Sequence, residues 1–197
     1  MRNPVADRLD PRAARSQLRA IDAALGLIRG VGVGRVTMES IAALSGVAKT
    51  TLYRQFGDLE TLLFAAFESL KRPYVIPVQN GVVADVEQWL QEFATALFAE
   101  DFAAVIPAMI ELGERTDRGR ELASEFAARR RLAMQERLQL AIDAGELLDD
   151  VDIGAIVSML VGPLFYRRFI SRQPAPPDFV RQLVRSALVP SVTTSVL

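Results

Sequence analysis

Along almost the whole chain the apolar residues return with a helical period, and no alternation of apolar and polar positions runs long enough to predict a strand. Leu18, Ile21, Leu25 and Ile28 fall at i, i+3, i+7 and i+10, which predicts one amphipathic helix from about Pro11 to Arg29. The glycine-rich run from Gly30 ends it, because a helix C-terminus favours a residue free of the left-handed penalty. Thr37 is a good N-cap for a short second helix, Met38 to Leu44, with Glu39 in its first turn. Ser45-Gly46-Val47 breaks the chain, and a third helix spans Ala48 to Phe56. Leu59, Leu62, Leu63, Ala66, Phe67 and Leu70 mark a fourth, with Asp58 placed to cap it. "RPYVIPVQNG", Arg72 to Gly81, has two prolines, an Asn-Gly and no period, and predicts a boundary between residues 1–72 and 73–197. Beyond it, helices are expected around 84–99, 101–114, 118–144, 152–171 and 177–189. The fold class is all-α: an N-terminal helix-turn-helix domain followed by a helical domain.

The third helix raises the functional question. Ala48, Leu52 and Phe56 form one thin apolar line, while Lys49, Thr50, Thr51, Tyr53, Arg54 and Gln55 point away from it. Two short helices joined by a turn at Gly46, following a longer one, make a helix-turn-helix arrangement. A helix that enters a DNA major groove about 12 Å wide must be slim, polar outward and held from behind. Ala48, Leu52 and Phe56 can do the holding, against Ile21, Leu25, Ile41 and Leu44. Lysine and arginine pair phosphates or guanine edges, threonine touches phosphate or a thymine methyl, and tyrosine donates its hydroxyl to phosphate.

Composition removes the main rivals. There is no cysteine and no histidine. That excludes thiolate chemistry, Ser-His-Asp catalysis and HExxH zinc sites, leaving an enzyme only carboxylates, Lys, Arg and Tyr. Asp149, Asp150 and Asp152 cluster at a helix N-terminus, where capping accounts for them, and no partner motif appears. The expectation is therefore no catalytic residue, no metal and no cofactor. The net charge of −1 hides an asymmetry: residues 1–72 hold 11 Lys and Arg against 7 Asp and Glu, and residues 73–197 hold 12 against 17. A basic N-terminal third suits a polyanion at one end only. Met1 to Pro11 lacks the apolar core of a signal peptide. The longest near-uncharged apolar run, Ile153 to Tyr166, has fourteen residues, against about 18 or more for a membrane span. A cytoplasmic protein with no membrane partner is expected.

Thr37 to Leu63, "TMESIAALSGVAKTTLYRQFGDLETLL", resembles the DNA-binding segment of the tetracycline-repressor (TetR) family of transcriptional regulators. It carries the family's T-x-x-x-I-A-x-x-x-G-V core, then L-Y-x-x-F, then a charged turn. "AGELLDDVDIGAIVSMLVGPLFYRRFI", from Ala144, is similar to the family's approach to its eighth helix. The resemblance implies that Lys49, Thr50 and Thr51 face base edges and nearby phosphates. It implies that Tyr53 and Thr37 meet the backbone, with Arg54 beside them. One position departs: Leu59 stands where the family commonly has a lysine, which moves phosphate contact towards Arg54 or Lys49.

The resemblance also implies a cavity for a small hydrophobic effector among the later helices. Its candidate lining is Trp89, Phe93, Phe102, Ile106, Met109, Phe126, Met134, Met159 and Phe165, though large apolar residues at helical spacing also fill ordinary cores. Pro107, inside a helical pattern, predicts a kink. The last two helices are expected to form a homodimer, through the smooth ridge of Gly154, Ser158 and Gly162 with Val161, Phe165, Phe169, Phe179, Leu183, Val184 and Leu188. A two-fold dimer places two recognition helices on a palindromic double-stranded DNA operator. The reading is a ligand-released repressor. The alternative is a dimeric helical small-molecule-binding protein without DNA readout.

Overall fold

The computed structural model describes residues 11–70 and 76–192, the side chains of residues 100–102 and 130 excepted. Residues 71–75, of which 72–75 open the expected boundary, and 193–197 lie outside the described residues. Nine α-helices are present among the described residues: α1 Pro11–Val31, α2 Met38–Ser45, α3 Lys49–Phe56, α4 Leu59–Ser69, α5 Val82–Phe98, α6 Glu100–Arg115, α7 Asp117–Asp143, α8 Ile153–Phe165 and α9 Pro177–Leu188. The all-α expectation holds, and the helix limits fall within a few residues of those expected. The chain divides into two compact units, Met1–Lys71 with Ala104–Ser124, and Arg72–Ala103 with Glu125–Leu197.

In the first unit α1 packs on α4 and α2. Its buried face is Ala20, Ala23, Ala24, Leu25 and Ile28, so the expected stripe holds at Leu25 and Ile28 but not at Leu18, which is 60% exposed, while Ile21 is half-buried. The reason is close approach: alanine lets the α4 surface come near the α1 backbone, so the seam follows the small residues. Leu62, Leu63, Phe64, Ala66 and Phe67 of α4 fill it, with the two phenylalanine rings edge-to-face at 5.3 Å. Gly46 ends α2 at φ 66°, and its N–H donates to the Ala42 carbonyl. That left-handed residue makes the tight turn into α3 possible.

Residues 104–124 close the same unit with a sharp corner between α6 and α7. Gly119 sits so near the Leu112 carbonyl group that a Cβ there would collide with it, and its N–H donates to the Thr116 hydroxyl at 2.9 Å. Backbone cannot give way as a flexible side chain can. Gly119→Ala is expected to destabilise the protein by roughly 1–3 kcal/mol and to lower Tm by roughly 2–4 °C per kcal/mol. A thermal melt of the variant beside the parent checks this.

In the second unit α5, α8 and α9 pack on one another. Val180, Val184, Ala187 and Leu188 form the buried edge of α9. Arg181 bridges to Glu87 at 3.3 Å, and the Gln91 amide donates to the Pro177 carbonyl at 2.9 Å, holding α9 to α5. Asp152 caps α8, accepting from the Ala155 N–H at 2.9 Å. Pro163 interrupts α8, and the backbone continues as a wide π-type turn over Tyr166–Ser171. Arg167 lies over the Phe179 ring at 3.6 Å and donates to the Pro174 carbonyl, while Arg168 donates to the Leu97 carbonyl at 3.3 Å. With this continuation Ile153–Ser171 is 19 residues, long and apolar enough by length and composition to cross a membrane, which the fourteen-residue apolar run alone does not reveal.

A charged cluster is buried in this unit. Asp85 and Arg137 are almost fully enclosed; the Arg137 guanidinium donates to Asp85 Oδ2 at 3.0 and 3.3 Å and reaches Glu146 at 3.5 Å. Asp85 also accepts the N–H groups of Gln79 and Asn80, and Glu146 that of Val82. One polar network thus ties the start of α5 to α7 and to the turn after it.

Candidate nucleic-acid interface

Thr37 begins the candidate interface. Its hydroxyl accepts the Ser40 N–H at 3.1 Å, and Ser40 Oγ accepts the Thr37 N–H at 3.0 Å, a reciprocal cap that fixes the entry of α2. From α3, Leu52 is fully buried; Ile41, Leu25 and Val47 of the same unit are buried too, and α3 packs on α2 and α1. This single leucine is the anchor; Phe56 is half-buried and helps. One expected anchor, Ala48, and one expected partner of the anchors, Leu44, do not serve. Ala48 is exposed, because it is the extended N-cap of α3 rather than its first turn. Leu44 is 60% exposed, on the outer side of α2.

Lys49, Thr50, Tyr53 and Arg54 are exposed, with Thr51 half-buried beside them. Helical order turns Thr50 and Arg54 farthest from the Leu52 side. Lys49 is not a free cation: its ammonium pairs with the Glu39 carboxylate of α2 and lies 5.7 Å from the Tyr53 ring centroid. The hydrogen bond to Glu39 raises the Lys49 pKa, and the same bond lowers that of Glu39. Sequence reasoning missed this pair, because Glu39 reads first as a dipole-favoured residue of a first turn.

Gln55 departs from its outward assignment as well. Its amide donates to Ser16 Oγ at 2.7 Å and to the Ala13 carbonyl at 3.4 Å, so α3 is pinned to α1 on that side. At the start of α4, Asp58 accepts the Thr61 N–H at 2.6 Å, and Leu59 and Glu60 follow. This turn offers no cation.

The candidates in the later helices divide. Trp89 and Phe93 stack at 5.3 Å, Phe93 meets Phe165 at 6.2 Å and Phe165 meets Phe169 at 5.9 Å, a continuous aromatic string from α5 to the end of α8. Phe126 and Met134 are buried in the same unit, whereas the buried Ile106 and half-buried Met109 belong to the first unit. The Phe102 side chain lies outside the described residues. Met159 is 49% exposed, because the inward face of α8 is Ile156, Val157, Leu160 and Leu164, so it lines no interior space.

Gly154, Ser158 and Gly162 are exposed, as expected of a ridge open to another helix, with Val161, Phe165, Phe169, Phe179 and Leu183 partly so. Val184 and Leu188 are fully buried within the unit. Their surface is spent inside the chain, which removes them from any interface with another.

The model for bacterial regulatory proteins of the tetR family matches residues 20–66, and that for the tetracyclin repressor-like C-terminal domain matches 76–187. An HTH-type transcriptional regulator of Mycobacterium bovis is 27% identical over 171 residues, covering 87% of this chain and 85% of its own. The HTH-type transcriptional regulator YdeS of Bacillus subtilis is 27% identical over 179 residues, covering 90% of each. The fold is shared with the transcriptional regulator FadR from Bacillus subtilis, solved in complex with stearoyl-CoA. The TM-score is 0.66 at 19% identity, over 87% of this chain and 98% of that one.

Proposed function

Because the chain belongs to the tetR family of bacterial regulatory proteins, and is a transcriptional regulator on that ground, we propose that it acts in the cytoplasm as a homodimeric repressor that a small hydrophobic molecule releases from a palindromic operator. The observation that carries the DNA half is α3 itself: one buried leucine behind, and Lys49, Thr50, Tyr53 and Arg54 exposed in front. Thr50, Thr51 and Arg54 read base edges and adjacent phosphates, while Thr37, Lys49 and Tyr53 hold the backbone. DNA binding is assigned to residues 1–72, and effector binding and dimerisation to 73–197. The exposed ridge of Gly154, Ser158 and Gly162, with Val161 and Phe169, supports dimerisation through α8 and α9. The aromatic string from Trp89 to Phe169 supports an apolar effector. The stearoyl-CoA held by the Bacillus subtilis FadR has a long apolar chain of that kind, joined to a charged CoA.

Release works by population shift: the effector binds best to a dimer whose two α3 helices are wrongly spaced for successive major grooves. Operator and effector must then weaken each other by the same factor. The test is titration of the purified protein against the DNA flanking its own gene, beside a scrambled duplex, at two salt concentrations. Tight, selective binding is expected. Equal binding to both duplexes favours the ligand-binding dimer without DNA readout, a reading to which the acidic α4 start lends support.

A further inference from the structure

Resting on the DNA-binding reading, we propose that the exposed arginines on the first turns of α1, Arg15 and Arg19 with Arg12, form a second DNA contact that clamps the phosphate backbone beside the groove entered by α3. Arg12, Arg15 and Arg19 follow one another at i, i+3 and i+7, on one line of α1, and with Leu18 they border a shallow surface concavity. Arg15 and Arg19 have no ion-pair partner among the described residues, although Asp22 lies one turn on from Arg19 and two turns on from Arg15.

Their position relative to the recognition helix is set by Gln55. Its amide holds Ser16 Oγ and the Ala13 carbonyl. Each arginine at 12 and 15 is the immediate neighbour of one of these residues, so the basic line runs about 100° around α1 from the face pinned to α3. From Arg12 to Arg19 the helix rises about 10 Å, a length over which one DNA strand presents about three phosphates. The chemistry fits a phosphate backbone rather than base edges. The guanidinium is permanently charged and offers paired donors matched to phosphate oxygens.

A second observation says why such a clamp is needed. The α4 start, which follows the recognition helix directly, carries Asp58, Leu59 and Glu60 and no cation. Lys49 is already engaged by Glu39. Of the cations near α3, Arg54 is the remaining one with no ion-pair partner among the described residues, so α3 brings one unpaired arginine and one lysine whose charge Glu39 partly offsets, which gives little counterion release. The line on α1 supplies what the turn into α4 does not.

The experiment compares the full-length parent with Arg15→Ala/Arg19→Ala and Arg15→Lys/Arg19→Lys on flanking and scrambled DNA, across a salt series. These side chains are exposed, and the lysine variant keeps charge without the fork. The alanine variant is expected to bind both duplexes more weakly by the same factor, 10-fold or more, with selectivity unchanged. Its log–log salt slope should flatten by about 0.9 for every phosphate that is no longer neutralised. The lysine variant should recover the slope. An alanine variant with the parent's slope and affinity, while the parent still selects its flanking DNA, overturns the clamp and leaves the repressor reading intact. A parent that binds neither duplex overturns both.

Discussion

Asp85→Ala is expected to be the most destabilising single substitution outside the apolar core, at about 3–5 kcal/mol. The carboxylate is fully enclosed, and three groups depend on it: the Arg137 guanidinium and the N–H groups of Gln79 and Asn80. Removing it leaves Arg137 buried with Glu146 alone, at 3.5 Å, and Arg137 Nη1 already has no hydrogen-bond partner among the described residues. Arg137→Leu is expected to cost less, because Asp85 then still accepts two backbone N–H bonds. A double replacement by apolar residues is not neutral either, since the N–H groups of Gln79 and Asn80 lose their acceptor. Urea unfolding of the three variants gives the order; a milder Asp85→Ala than Arg137→Leu contradicts the arrangement.

The same cluster fixes a pH dependence. Burial pushes the Asp85 carboxyl up, but the Asn80 and Gln79 N–H groups and the Arg137 guanidinium together outweigh it and hold the pKa below the ordinary 3.8. A folded pKa below the unfolded one means that the folded state resists protonation there. The stabilisation is present in full above the unfolded value and is lost as pH falls through the folded one. Between neutral pH and about 5 the parent should therefore keep this contribution. Below about 4 it should lose stability, and Asp85→Asn should lose less over the same interval. Unfolding midpoints across the acid range decide the matter.

The largest functional effect is expected from Lys49→Ala combined with Tyr53→Ala. In the proposed two-fold dimer each substitution is made twice, and operator binding should weaken on the order of 100-fold or more. The lysine change does more than remove a cation from the DNA-facing side. It strips the Glu39 carboxylate of its partner, and a bare carboxylate there repels phosphate. Glu39→Gln added to Lys49→Ala should therefore recover part of the loss, a coupling that a double-mutant cycle reads directly. Additive effects in that cycle, with Glu39→Gln alone leaving binding unchanged, remove the pair from the interface.

What the sequence by itself determined about this protein is what depends on neighbours a turn apart. Helix periods, the caps at Thr37, Asp58 and Asp152, and the glycine turn at Gly46 are local, each settled by side chains and dihedrals within about four residues. So the all-α class, the helix-turn-helix and the polar face of α3 were legible, and the family pattern rests on those same short spacings. Only the tertiary structure decided which face of each helix was spent on packing. Apolar period marked Leu18, Leu44 and Met159, yet all three are exposed: α1 closes on Ala20 and Ala24 beside Leu25 and Ile28, and α8 turns Ile156, Val157, Leu160 and Leu164 inward.

It also decided the partners of charged and polar groups: Lys49 with Glu39, Gln55 with Ser16, Arg137 with Asp85 across 52 residues. No spacing rule relates such positions, since a crossing between helices brings them together. The assignment of residues 104–124 to the first unit is of the same kind. Within that grouping Gly34 lies beside the side chains of Glu111 and Arg115, a meeting of distant segments that periodicity within either cannot express.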